Sequence, residues 1–500
     1  GDGFPSDGFN SLAASNNIYK GSIGFNQYSL DSYLSRLTLN YKNKYILTGA
    51  IRRDGSSRFS KNARYGTFPS ASFAWRISEE NFMPKTKAMN ELKMRLSWGR
   101  TGSQSGIGNY IPHSLVTAGG NSYNNNPGFK ISQMAQHLEW EKATQFNVGI
   151  DAEFLNSRIN FTVDLFYNRT TDLLYGRPTL ATTGYTSLTG NIGELDNRGL
   201  ELAIGGDILT GDFKWNMSGN ISFIANRLRK LLDGQDMIIL GSSGVNFGGQ
   251  KSALINGKAI GSYYMLEMGG IYQYDSDVPA ALYAKGVRAG DVRYIDHNKD
   301  GDIDDNDRVY VGKANPDFFG GITSTMSWKN FELAVFTQFS AGGKIMPAWR
   351  GGGGTEGTDH LGVAVSGNQF YNVSKEMATD YWRGPGTTNS VPRPVMRGVH
   401  TGYAGDYNTQ TSTRYLENAS YFKFKTITLA YNLPTSLMKK IGLSRAKIYA
   451  SLDNFFTITS YSGYDPEFSY ASQPSSANYG VDYGELPTLK NIIFGLNVNF

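Results

Sequence analysis

The feature that most constrains this chain is a strict alternation of apolar and polar residues over segments of about 9 to 11 residues. Residues 159–167, INFTVDLFY, carry apolar side chains at alternate positions, with Asn160, Thr162 and Asp164 between them. A period of two predicts a strand with one apolar face, and this length suits a tilted membrane-spanning strand. About 13 segments qualify by this criterion. The sequence therefore predicts an all-β fold, a transmembrane antiparallel β-barrel.

The connections between these segments fall into two classes. Short turns are expected near residues 42, 156, 211, 329 and 440, and long loops over 101–137, 170–198, 226–317, 341–420 and 457–489. Outer-membrane barrels have this asymmetry, with short periplasmic turns and long extracellular loops. One short helix is expected around Thr435 to Lys440.

Composition excludes several other classes of protein. No apolar run approaches the roughly 18 residues of a transmembrane helix. The chain has no cysteine, which rules out disulfide frameworks and thiolate metal sites. A net charge of +5 is too small and dispersed for nucleic acid. Because no acid/base or nucleophile arrangement converges in the sequence, the chain is not expected to be an enzyme.

The last ten residues, NIIFGLNVNF, form an amphipathic strand that ends on an aromatic residue. Phe494, Leu496, Val498 and Phe500 are predicted to act as a barrel-assembly signal. The alternative is the final strand of a soluble sandwich, but such strands are usually only about 5 to 6 residues long.

Residues 296–307, DHNKDGDIDDND, have the spacing of an EF-hand-type calcium loop. Calcium prefers six to eight oxygen ligands, which we expect from Asp296, Asn298, Asp300, Asp302, Asp304 and Asp307, with Asp302 acting through its carbonyl. An acidic turn held by side-chain hydrogen bonds is the alternative. Position 12 is Asp rather than the longer Glu, and no flanking helices are evident.

Aromatic residues lie among small polar residues in the expected long loops. Such rings can stack on a sugar face while neighbouring amides bind hydroxyls. The candidate substrate contacts are Tyr263, Tyr264, Trp349, Tyr371 and Trp382. The alternative is that these rings pack on one another.

Several segments carry a family resemblance. The stretch from Tyr45, YILTGAIRRDGSSRFSKNARYGTFPSASFAWRISEENFM, resembles the SusC/RagA family of TonB-dependent outer-membrane transporters. Further collinear segments resemble the same family; they are LEWEKATQFNVGID from Leu138, ELDNRGLEL from Glu194, GDVRYIDHNKDGDIDDNDRVYVGKANPDFFGGI from Gly290, RYLENASYFKFKTITLAYNLP from Arg414 and LDNFFTITSYSGYDPE from Leu452. The resemblance covers nearly the whole chain.

The resemblance implies a barrel of about 22 strands around a plug domain. It also implies a SusD-like surface lipoprotein as a lid, energy supplied through TonB, and an oligosaccharide substrate. Residues 1–500 would form the C-terminal part of such a barrel, without plug or TonB box, and 226–317 a long extracellular loop containing the acidic loop 296–307.

Three alternatives remain open at this stage. One is a peptide importer of the same family. Another is a calcium-dependent surface protein that binds glycans, which would share the aromatic loops and the acidic loop. A siderophore or cobalamin receptor would share the barrel, but it would lack the RRDGSSRF and DxNxDG segments.

Overall fold

A computed structural model describes residues 26–84, 86–123, 126–178, 187–231, 235–240, 252–350, 375–395, 399–402, 407–467 and 479–499. Most of the regular structure is β. The strands are β1 Leu30–Tyr41, β2 Tyr45–Ser56, β3 Tyr65–Arg76, β4 Met89–Ser103, β5 Leu115–Tyr123, β6 Asn126–Gln133, β7 Glu141–Phe154, β8 Ile159–Thr171, β9 Leu174–Pro178, β10 Ser187–Asn191, β11 Glu194–Thr210, β12 Phe213–Lys230, β13 Met237–Leu240, β14 Ser252–Ile255, β15 Ser262–Met265, β16 Met268–Ile271, β17 Val292–Tyr294, β18 Val309–Lys313, β19 Phe318–Trp328, β20 Phe331–Ala341, β21 Lys344–Pro347, β22 Glu417–Asn418, β23 Tyr421–Asn432, β24 Arg445–Thr459, β25 Val481–Asp482 and β26 Asn491–Asn499.

Thirteen strands form one sheet, in the order β1-β2-β3-β4-β7-β8-β11-β12-β19-β20-β23-β24-β26. Their order in the sheet is their order in the chain, as in an up-and-down meander. The connections alternate between short turns, such as 42–44, 155–158 and 329–330, and long excursions, such as 231–317 and 342–420. Both the strand count and the two classes of connection agree with the sequence prediction.

By its internal contacts the chain divides into two compact units. The first comprises Gly1–Ala152, Asp164–Arg198 and Arg229–Gly234. In it, β1, β2, β3 and β4 pair antiparallel in sequence order. The β1–β2 turn is tight because Lys42 and Asn43 both adopt positive φ, and the Asn43 amide donates to the Asn40 side chain at 3.0 Å.

The second unit comprises Glu153–Val163, Gly199–Leu228 and Gln235–Phe500. Its main strands, β12, β19, β20, β23, β24 and β26, pair antiparallel in that order. The β19–β20 hairpin turns through two residues, of which Lys329 has a positive φ. A register shift at Phe424/Thr426 leaves Lys425 outside the ladder of β23.

One face of the large sheet exposes large apolar side chains. In the first unit they include Tyr33, Leu37, Leu39, Tyr41, Leu47 and Ile51, and in the second unit Ile204, Phe319, Phe336, Ile448, Ile458 and Leu496. Exposed apolar patches of this extent mark a surface that contacts a membrane or another protein.

The long connection expected over residues 226–317 contains regular structure of its own. β12 continues to Lys230. After it, β13, β14, β15 and β18 form a sheet of their own, and β16 and β17 form a separate antiparallel pair. These strands are only three to five residues long, too short for period-two alternation to reveal, and they lie within the long connection expected for this region. β21, β22 and β25 form a further small sheet.

Helices are short in the described part of the chain. They are α1 Ala280–Ala284, α2 Lys375–Thr379 and α3 Thr435–Lys440, with 3-10 turns at Ile77–Glu79, Asp275–Asp277, Asp305–Asp307, Tyr407–Thr409 and Thr413–Tyr415. α3 occupies the residues predicted for it. None of the helices described is long and apolar enough to span a membrane.

Candidate functional site

In the first unit, the residues of the SEENF motif stabilise the ends of β2 and β3. Glu80 accepts hydrogen bonds from the hydroxyl of Tyr45 at 2.5 Å and from the indole of Trp75 at 3.1 Å, and it pairs with Lys44 at 3.1 Å. Tyr45 also stacks between Tyr41 and Trp75, with ring centroids 6.4 Å from each. The motif therefore encodes a network of aromatic rings and polar groups at the short-turn edge.

The other end of the same motif builds a small core in the first unit. Phe59, from RRDGSSRF, lies 4.7 Å from Trp140 of the LEWE segment, and Phe68 meets the same indole edge-on at 5.6 Å. The Trp140 indole donates to the Arg64 carbonyl at 3.1 Å. Two segments that carry the family resemblance are thus contact partners.

Charged pairs lie on the large sheet in each unit. In the first unit, Arg95 forms paired hydrogen bonds with Asp151 and Asp164, all between 2.8 and 3.0 Å. In the second, Glu332 pairs with Lys447 and accepts a hydrogen bond from Asn432. Lys447 alternates along β24 with the exposed Ile448, so this pair lies on the sheet face opposite that apolar side chain.

The long connections of the second unit fold around two apolar cores. One contains Leu266, Ile271, Tyr272, Val278, Leu282, Val287, Val292, Tyr294, Ile303 and Tyr407. The other contains Tyr263, Met265, Met346, Ala348, Tyr415 and Val481. We call this folded region the loop assembly; it comprises the described residues between 252 and 317, 344 and 350, 375 and 416, and 479 and 484.

A buried polar cluster centres on Asp291, which is fully buried. Its carboxylate accepts hydrogen bonds from Arg393 at 2.8 and 2.9 Å, from Asn408 at 2.9 Å and from the Arg288 amide at 2.8 Å, and it lies 3.0 Å from His400. Burial alone would raise the pKa of Asp291, but hydrogen bonds from His400 and Arg393 and the charge of Arg393 lower it below its ordinary value.

Asp291 lies in the GDVR segment that resembles the transporter family, but no sequence motif marks it as a functional residue. Its side-chain partners Arg393, His400 and Asn408 lie more than a hundred residues away in the chain, so only the tertiary structure brings them together. The nearest signal was Asp291 itself, a lone acidic residue at the start of a strand.

The acidic loop 296–307 is ordered by its own side chains. Asp296 accepts the amides of Lys299 at 2.6 Å and Gly301 at 2.9 Å, and Gly301 has φ +84. Asp307 is buried and accepts the amides of His297 and Asp304, each at 2.9 Å.

The remaining oxygens of this loop are engaged separately. Asp302 pairs with Lys285, and Asp304 caps the turn Asp305–Asp307 by accepting the Asn306 amide. Ile303, at position 8 of the pattern, is buried in the first core and anchors the loop. Among the described residues, no three acidic or histidine side chains gather to hold a metal, so calcium binding stays a prediction.

The predicted substrate aromatics occupy different environments. Tyr263 is fully buried, and its hydroxyl donates to the Lys344 carbonyl at 3.0 Å and the Gly480 carbonyl at 2.7 Å. Because burial leaves no ring surface for a substrate, this placement argues against Tyr263 as a contact residue. Burial also raises the pKa of Tyr263 far above its ordinary value.

The other four candidates divide as follows. Tyr264 is half-buried and pairs across strands with Tyr310. Trp349 is half-buried and hydrogen-bonded to Tyr461. Trp382 packs on the first core and donates to Gln273 at 3.3 Å. Tyr371 lies outside the described residues. These three described rings retain partial exposure but do not converge on one cavity.

The predicted assembly signal lies on β26. Phe494 and Leu496 are exposed and Val498 is half-buried. Phe494 pairs with Ala450 and Leu496 with Ile448 of β24. Phe500 lies outside the described residues, so the recognition role stays a prediction.

Comparisons with known proteins agree with this architecture. A family model described as "TonB dependent receptor-like, beta-barrel" matches residues 2–319. The TonB-dependent receptor P3 of Formosa agariphila is 33% identical over 486 residues, which are 95% of this chain and 46% of that protein. The TonB-dependent receptor SusC of Bacteroides thetaiotaomicron is 30% identical over 488 residues, 94% of this chain and 44% of that protein.

Among solved structures, that of the RagAB peptide transporter matches with a TM-score of 0.78 at 25% identity. The match covers 99% of this chain and 50% of that chain. The chain therefore spans about half the length of the curated relatives that it matches, which are covered to 46% and 44%.

Proposed function

Because the chain belongs to the TonB-dependent receptor-like β-barrel family, and is a barrel of the SusC/RagA type, we propose that the protein imports a substrate across the outer membrane in a TonB-dependent manner. Family membership places the chain in the outer membrane as an antiparallel β-barrel, as the sequence predicted. It also assigns the chain to receptors and transporters rather than to enzymes. The observation that carries the proposal is the match over residues 2–319 together with the thirteen-stranded sheet.

We propose an oligosaccharide as the substrate. Support comes from the loop assembly, in which half-buried aromatic rings lie among amide and hydroxyl side chains. Trp382, for example, donates to Gln273, which also accepts the Gly386 amide at 2.8 Å. A peptide is the second candidate, because the solved RagAB relative is described as a peptide transporter.

The proposal includes two partners. A SusD-like surface lipoprotein would cover the long-loop side and deliver the substrate, and the TonB complex would supply energy. SusC and RagAB are the relatives that support this pairing.

Calcium at the loop 296–307 is a further element of the proposal. The spacing of its oxygen-bearing side chains and the positive φ of Gly301 support it. In this role calcium would stiffen a loop whose Ile303 is already anchored in a core.

The experiment uses the native organism and an antibody raised against this chain. We expect an outer-membrane polypeptide that co-purifies in mild detergent with a surface lipoprotein, and TonB-dependent uptake of a labelled oligosaccharide that is lost on deletion of the gene. Uptake that persists in the deletion strain, or that is independent of TonB, would refute the proposal. Uptake of peptides in place of sugars would select the second candidate.

A further inference from the structure

A cavity of about 450 Å³ opens in the loop assembly of the second unit. Four segments border it. Two of them are the β16 backbone at Gly269 and Gly270 and the residue Arg350 after β21. The other two are α2 with the residues that follow it, which contribute Glu376 and Asn389, and the 3-10 turn that contains Arg414. Its volume lies within the range of about 300 to 1,000 Å³ typical of ligand sites. None of the predicted substrate aromatics lines it.

The cationic side chains of this cavity are held in place. Arg350 donates to Glu376 and to Glu417, each at 2.6 Å, which fixes its guanidinium. Arg414 lies over the ring of buried Tyr415, 4.9 Å from its centroid, and donates to the Tyr415 hydroxyl at 2.6 Å. Preorganised side chains of this kind lose little entropy when a ligand binds.

The backbone at Gly270 also shapes the cavity. Gly270 has φ +122, and a Cβ there would lie 2.5 Å from the Asn389 side-chain oxygen, so any other residue would strain the backbone and displace the Asn389 amide. That oxygen accepts the Ile271 amide at 2.9 Å. This side of the cavity therefore consists of exposed backbone at Gly269 and Gly270 beside the fixed side-chain amide of Asn389.

The chemistry of the lining indicates the class of ligand. Most small-molecule pockets are predominantly apolar, but here Met268 is the one large apolar side chain among the described lining residues. Arginine and amide groups donate, and the Glu376 carboxylate accepts. Sugar hydroxyls both donate and accept, so a sugar can satisfy both kinds of group at once. An apolar peptide such as hexa-alanine would instead place its methyl groups against this polar lining.

We propose that this cavity is a subsite for one sugar unit of the transported oligosaccharide. Glu376 accepts a hydrogen bond from one hydroxyl and Arg414 donates to another, while Arg350 positions Glu376. The inference rests on the proposed glycan import and adds a location and named contacts to it.

The test measures binding by calorimetry to the full-length transporter, purified with its lipoprotein in detergent. The probes are maltohexaose, xylohexaose, mannohexaose and, as the peptide arm, hexa-alanine. We expect one of the sugars to bind, and Glu376→Gln and Arg414→Gln to weaken that binding at least about 10-fold, as expected for the loss of a hydrogen bond to a charged group. Glu376→Gln keeps the shape of a partly exposed side chain, which protects folding.

Asp380→Asn and Arg383→Gln are the matched controls, since both side chains are exposed nearby and neither lines the cavity. They should leave affinity unchanged. A sugar that binds both cavity variants as tightly as the unmodified protein would overturn the subsite and leave glycan import standing. Binding of hexa-alanine and of none of the sugars would overturn glycan import, and the subsite with it.

Discussion

Lys423 and Asp465 form a buried ion pair in which the ammonium lies 2.9 Å from both carboxylate oxygens, and the two side chains are only 1% and 9% exposed. Lys423 belongs to β23, and Asp465 to the connection that follows β24. Glu467 extends the pair, at 3.0 Å from Lys423 and 2.6 Å from Lys425. The KFK segment of β23 therefore contacts the YDPE segment, and this contact holds the connection that follows β24 against the sheet.

Replacing Lys423 with Met should release this connection. The change leaves Asp465 as a buried charge without its ammonium, a loss that typically costs about 3 to 5 kcal/mol. We expect faster cleavage by proteinase K between residues 460 and 490 in the folded protein. Lys425→Met is the control, since Lys425 is more exposed and contacts Glu467 alone in the described structure; equal cleavage of the two variants would contradict the prediction.

Acid should destabilise the loop assembly through Asp291. Its pKa is lowered in the folded state, so its contribution is complete above the ordinary aspartate pKa of about 3.9 and is lost as pH falls through the lowered folded value. We expect the midpoint temperature of thermal unfolding, followed by tryptophan fluorescence, to stay constant around pH 6 and to decrease once the pH is below about 4.

Asp291→Asn should flatten this pH dependence and lower the midpoint at pH 7, because Arg393 loses its buried partner. Asp317→Asn, at an exposed aspartate, should leave both unchanged. A midpoint in Asp291→Asn that follows pH as steeply as in the unmodified protein would count against the mechanism.

Calcium should bind the acidic loop with the affinity typical of extracellular modules, a Kd of about 10⁻⁴ to 10⁻³ M. Asp300→Asn removes one ligand charge and should weaken binding, whereas Asp305→Asn, at an exposed aspartate outside the ligand positions, should not. Calorimetry checks both. No heat on addition of calcium, together with no effect of a chelator on proteolysis of residues 252–317, would remove calcium from the proposal.

Gly320→Ala should impair the sheet between β12 and β19. An added Cβ would lie 2.1 Å from the Asn220 carbonyl and 2.8 Å from the Phe339 ring, and overpacking of this kind typically costs about 1 to 3 kcal/mol. Gly49→Ala in β2 is the matched control, because nothing lies within 4 Å of its added Cβ. The yield of heat-modifiable folded barrel on gels is the readout, and equal yields would contradict the expectation.

Phe494→Arg should reduce membrane insertion. Phe494 is exposed on β26, and an arginine at a lipid-facing position costs up to about 2 to 4 kcal/mol, depending on its depth in the membrane. Asn497→Arg places the same charge on the opposite face of the strand and should be tolerated. The measurement is the outer-membrane fraction of each variant; similar insertion of both would count against a lipid-facing Phe494.

The positions of the long strands of the large sheet, the alternation of short turns with long connections and the helix at Thr435–Lys440 could all be predicted because they depend on local features. Period-two hydrophobicity and turn chemistry are complete within about ten residues. The family resemblance likewise lies in contiguous segments such as RRDGSSRF.

The sequence by itself determined the large sheet of this protein, since the alternation of apolar and polar residues within each long strand defines the two faces of that strand. The tertiary structure alone decided the loop assembly. It buried Tyr263, which its place in an expected long loop had suggested as a substrate contact, and joined Asp291 to Arg393 and His400 across more than a hundred residues. It also formed the cavity at Arg350 and Glu376 from separate segments. Contacts between distant segments produce no periodic pattern in the sequence, because their geometry is set only when the chain folds and brings those segments together.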